Sequence, residues 1–104
     1  HWWPKQGTTE WIVYAFPEAA TVSRSAVYWF DDAPWGGCRV PVSWKLYYKD
    51  ESGAWQPVVN SGIYGLNKGT ANEVNFSPVT TTAMKLEVVQ PEKFSCGLFE
   101  WEIK

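Results

Sequence analysis

Apolar residues alternate with polar ones along most of this chain, and the alternation predicts strands rather than helices. The run EWIVYAF (10–16) is rich in β-branched and aromatic residues and is ended by Pro17. SAVYWFDD (25–32) is a second such run, closed by Asp32 and the turn-rich APWGG. In SWKLYYK (43–49), Trp44, Leu46 and Tyr48 share one face, with Ser43, Lys45, Tyr47 and Lys49 on the other. DESG (50–53) is a hairpin turn, and AWQPV (54–58) is its returning strand, placed at an edge by Pro57. NEVNF (72–76) follows a long loop, and AMKLEVVQ (83–90) alternates Met84, Leu86 and Val88 with Lys85 and Glu87. SCGLFEWEIK (95–104) sets Phe99, Trp101 and Ile103 inward against Leu98, Glu100, Glu102 and Lys104. The helical period appears nowhere, so seven short strands joined by Gly, Pro, Asn and Asp turns predict an all-β, antiparallel sandwich.

Length narrows this further. The chain has 104 residues, room for a single domain spanning 1–104. Its 8 Trp, 5 Tyr and 5 Phe exceed what so small a core needs, so some rings are free to stand outside it. Trp11 is expected inside. Trp2 and Trp3 are neighbours on an extended leader and should face opposite ways, one plugging the sandwich edge and one reaching the loop surface.

Charge excludes some functions. The net charge is -2 and the nine basic residues are scattered, which is not the footprint of a nucleic-acid binder. No run approaches the ~18 apolar residues of a membrane span, and any export signal is expected outside these residues. Cys38 and Cys96 fit no metal or redox spacing; they are either two free thiols or a bridge closing a long loop.

Catalytic constellations are missing from the sequence. One His and no nucleophile elbow argue against a hydrolase triad, and one His with two distant Cys argues against a tetrahedral zinc set. Asp31 and Asp32 are adjacent at a strand end and point to opposite faces, so they cannot flank one glycosidic bond. Glu100 and Glu102 share a face but read as solvent contacts. Binding fits better. The loops 1–9, 32–42 and 59–71 carry His1, Trp2, Trp3, Trp35, Arg39, Tyr64, Asn67 and Lys68. A ring to stack on the C–H face of a sugar, with charged or amide groups for its hydroxyls, is what Trp35 and Arg39 offer in DDAPWGGCR. A Trp packed as a plug over the end of the sandwich is the plainer alternative.

The succession EWIVYAF, VYWFDD, GGCRVPVSW, LYYKDESGAWQPV, NFSPVTTTAMKLEV and FSCGLFEW, over roughly residues 7–104, resembles the discoidin-like, coagulation-factor type C domains. The likeness is to the bacterial branch appended to glycoside hydrolases. It implies a jelly-roll β-sandwich without catalysis and a carbohydrate-binding accessory role on plant polysaccharide or oligosaccharide. The host would be a glycan-degrading enzyme that is secreted, periplasmic or at the cell surface. A structural domain packing on an adjacent glycoside hydrolase catalytic domain is the alternative. By position in the motif, the resemblance marks His1, Trp3, Trp35, Arg39 and Phe94 as ligand-binding. It also implies some 30–40 residues ahead of HWW, with a strand and a turn that in many members holds a structural calcium; these are expected to lie outside residues 1–104.

Overall fold

The computed structural model of the chain describes residues 7–104, apart from the side chain of Phe99. Its strands are β1 (Thr9–Phe30), β2 (Ser43–Lys49), β3 (Trp55–Pro57), β4 (Asn72–Val89) and β5 (Gly97–Ile103). They pair antiparallel in the order β3-β2-β4-β1-β5.

Five strands replace the predicted seven because two pairs of runs are continuous. Pro17 does not end β1. The ladder to β4 steps from Ala15↔Ala83 to Ala20↔Thr81, so the residues around Pro17 bulge out of the pairing and the strand bends instead of stopping. A second break, from Val22↔Val79 to Arg24↔Asn75, sets Phe76, Ser77 and Pro78 on β4 against Ser23 alone on β1. The two longest strands thus each serve two layers. Their segments 9–15 and 81–89 join β2 and β3, and their segments 20–30 and 72–79 join β5.

The layers face each other across an aromatic core. From the first come Trp44, Leu46, Met84, Leu86 and Val88, the faces that alternation had assigned; from the second come Val22, Val27, Trp29, Val74 and Phe76. Trp29 and Trp44 meet edge-to-face with ring centroids 5.5 Å apart, and Tyr64 meets Trp44 at 4.9 Å. Fully burying each of the aliphatic side chains is worth roughly 1.5–3 kcal/mol. Trp101 and Ile103 pack against this core as predicted, and the Trp101 indole donates to Ser25 Oγ at 2.8 Å. Leu98, expected on the outward face, packs against the core as well, because the β1–β5 ladder shifts between Tyr28↔Glu100 and Trp29↔Leu98.

Trp11 departs from expectation: it is 59% exposed. It pairs with Glu87 in the ladder, and Glu87 faces away from the core, so Trp11 shares that outward face. EWIVYAF is apolar on both parities, and the inward set is Ile12 and Phe16.

Strand direction sorts the connections into two ends. The 31–42 loop, the 63–71 stretch, the 90–96 turn and residues 7–8 converge at one end; the 50–54 hairpin lies at the other. On its way, the segment 58–62 runs beside β4, with Gly62 N–H donating to Asn75 O and Ser77 N–H to Val59 O, which covers an otherwise open strand edge.

Candidate functional site

The 31–42 loop is built from its own carboxylates. Asp31 accepts from the Ala33 N–H at 3.0 Å and the Val40 N–H at 3.2 Å; Asp32 accepts from the Cys38 N–H at 2.8 Å. The Asp32 carbonyl takes the N–H groups of Trp35 and Gly36, at 3.1 and 2.9 Å. A Cβ on Gly36 would collide with the Asp32 carboxylate, so the loop needs glycine there. The adjacent acids are therefore loop-forming acceptors, both turned into the loop rather than to opposite faces.

At the tip of this loop Trp35 is 94% exposed, which rules out the plug. Arg39 braces the loop from behind. Its Nη1 donates to Gly36 O at 2.7 Å and Cys38 O at 2.8 Å and lies 3.5 Å from Asp32 Oδ1, while its guanidinium sits 4.3 Å over the Phe94 ring. Three of the candidate residues are thus brought to one end of the sandwich: Trp35 as an open ring, Arg39 and Phe94 as a stacked support beneath its loop. His1 and Trp3 lie outside the described residues. Gly7, close behind them in sequence, donates to Phe94 O at 3.2 Å, and Thr8 O accepts from the Gln90 N–H at 3.0 Å.

Neighbouring segments complete this end. Arg39 N–H donates to Ser95 O and Ser95 N–H to Gly37 O, a parallel bridge that joins the loop to the turn before β5. Lys68, largely exposed, approaches Asp31 at 3.9 Å. Behind it the Gly65 carbonyl accepts both buried indole N–H groups, Trp44 at 2.7 Å and Trp29 at 3.3 Å. Asn72, buried, reaches Val27 O, Asn67 O and Thr70 O, which holds 65–72 against β1. Of the other residues singled out, Tyr64 is spent on core packing and its hydroxyl accepts from the Leu46 N–H, and Asn67 bonds Asn72 through its backbone. Leu66 and Ile63 are exposed on the same stretch, apolar positions that a Gly- and Asn-rich loop gave no period to reveal.

Cys38 and Cys96 are both free and buried here, with Cys38 Sγ 3.8 Å from Ser95 Oγ. Burial, reinforced by Cys38 nearby, pushes the Cys96 thiol up to about 12, so it stays protonated and packs as a small apolar group. Among the described residues no three His, Cys, Asp or Glu side chains gather for a metal ion.

This architecture recurs in known structures. A chain of the Streptococcus pneumoniae β-galactosidase BgaA superposes with a TM-score of 0.82 at 18% identity, over 97% of this chain and 71% of that one. Chitosan-binding module 1 of a chitosanase/glucanase from Paenibacillus sp. IK-5 gives 0.70 at 17% identity, over 96% and 72%. The family 32 carbohydrate-binding module of Streptococcus pneumoniae EndoD gives 0.68 at 18%, over 93% and 70%. No family model matches the sequence. At such identities the likeness establishes the fold. The chain is an antiparallel β-sandwich of the kind carbohydrate-binding modules share.

Proposed function

We propose that the chain is a non-catalytic carbohydrate-binding module, discoidin-like in lineage, that holds a secreted bacterial glycan-degrading enzyme on its polysaccharide. The observation that carries this is Trp35: a ring 94% exposed on a loop whose carboxylates and guanidinium are all committed to holding the loop's shape. Exposing a tryptophan forgoes burial worth on the order of 3 kcal/mol, and a braced loop loses little entropy when the ring meets a ligand. Sugars offer flat C–H faces for such a ring. Several carbohydrate-binding modules with this sandwich support the same reading.

A single shallow site of this kind gives a Kd near millimolar, about -4 kcal/mol, and linkage to a catalytic domain turns that into a useful local concentration. Titration of the chain with plant-cell-wall oligosaccharides, followed by NMR shifts, is expected to move Trp35 and the 90–95 turn saturably, and Trp35→Ala is expected to abolish those shifts. A silent loop end in a well-folded protein would sink the proposal in favour of a domain that packs on its enzyme.

A further inference from the structure

The outward face of the first layer carries a second set of rings and charges. Ladder partners share a face, so Trp11, Glu87 and Lys45 form one row across β1, β4 and β2, and Val13, Lys85, Tyr47 and Pro57 form the next. Trp55 flanks the second row. Lys85 Nζ lies 4.8 Å from the Tyr47 ring centroid and 5.3 Å from that of Trp55, and 3.8 Å from Glu87 Oε2. These contacts hold the ammonium between the two rings on the outward face.

Between β2 and β4 the face sinks into a shallow cavity of about 170 Å³, comparable to one sugar ring, lined by Ser43, Trp44, Lys45, Tyr47, Glu87 and Val89. Glu87 and Lys45 are direct ladder partners there. A carboxylate that only accepts, beside an ammonium that only donates, complements two neighbouring hydroxyls of a sugar, with the Tyr47 ring as an apolar wall. Trp11, in the same row and 59% exposed, stands two strands from β2, about 10 Å, a span that a short oligosaccharide covers. Glu87, Lys85 and Lys45 interrupt the apolar positions Trp11, Val13 and Val89 on this face, which suits a hydroxylated ligand better than an apolar protein surface, and a central carboxylate opposes the phosphates of a nucleic acid.

We infer that this sheet face is a second glycan-binding surface, distinct from the loop end, on which a neutral oligosaccharide places one residue in the Tyr47–Glu87–Lys45 cavity and another on Trp11. It shares with the loop-end reading the class of ligand but not the site.

The test is NMR shift mapping of the chain with neutral hexasaccharides of xylose, glucose and galactose at millimolar concentration, and with oligouridylate, in wild type and in Trp35→Ala, Trp11→Ala and Glu87→Gln. The expected result is saturable glycan shifts at the Lys45, Tyr47 and Glu87 amides and the Trp11 indole. They persist in Trp35→Ala and weaken at least tenfold in both Trp11→Ala and Glu87→Gln, whose otherwise unchanged spectra show them folded. Glycan shifts confined to Trp35 and the 90–95 turn would overturn the inference and leave the loop-end site standing. Indifference to Glu87→Gln, or sheet-face shifts with oligouridylate alone, would overturn it as well. A silent Trp35 beside a titrating sheet face would instead remove the loop-end site and keep this one.

Discussion

Asp50 shows how much one side chain can organise. Its carboxylate accepts from the Ser52 hydroxyl at 2.6 Å, the Gln56 amide at 3.0 Å and the Ala54 N–H at 3.0 Å, closing the hairpin between β2 and β3. These bonds, led by Ser52, lower its pKa to about 2. The folded value lies below the ordinary carboxylate value of about 4, so the stabilisation is fully present above that ordinary value and is lost as pH falls through about 2. A carboxyl-carbon NMR titration is expected to show the Asp50 midpoint near 2; a midpoint near the ordinary value would mean that the turn does not hold these bonds in solution. DESG announced this turn in the sequence, since Asp followed by Ser and Gly has little else to do between two alternating runs. Arg39 was harder to read. A fork donor four residues from a loop Trp suggests a ligand contact, but the carbonyls of Gly36 and Cys38 that claim it become neighbours only once the loop has folded.

At the level of elements, the loop that presents Trp35 depends on the contact between Gly36 and Asp32. Gly36→Ala would force the carboxylate away from the Cys38 N–H and from Arg39, and is expected to cost roughly 1–3 kcal/mol. The Cys38 amide should then exchange faster with solvent while amides in β2 and β4 keep their protection; unchanged exchange at Cys38 would show that the loop does not need this brace. Strand positions were legible from alternation, and so was the inward set of β2 and β4. Strand continuity was not. Pro17 looks like a stop, and only the ladder shows that the chain bulges past it and keeps going, as it does past Pro78 on β4. Nor did alternation settle β1, where both parities of EWIVYAF are apolar and Trp11 turned outward. Lys45 and Glu87 read as the solvated side of their strands, because their pairing across β2 and β4 is a matter of register that spacing does not disclose.

Across the whole molecule, the two bent strands make one sheet serve as both layers, so the core and the loop end are joined by the same backbones. Leu46, fully buried between the layers, tests this: Leu46→Ala is expected to cost about 2–5 kcal/mol and lower Tm by roughly 10–20 °C in a single transition seen alike by far- and near-UV circular dichroism. Two separated transitions would mean that the layers melt independently. The shared Gly65 carbonyl beneath Trp29 and Trp44 has a consequence for spectroscopy. Two of the eight indoles are locked in dry, hydrogen-bonded surroundings, whereas Trp35 and Trp11 stand in water. Acrylamide should therefore quench the red side of the emission first and leave a blue component that no sugar perturbs, so the protein carries its own internal reference against which occupancy of either surface can be read.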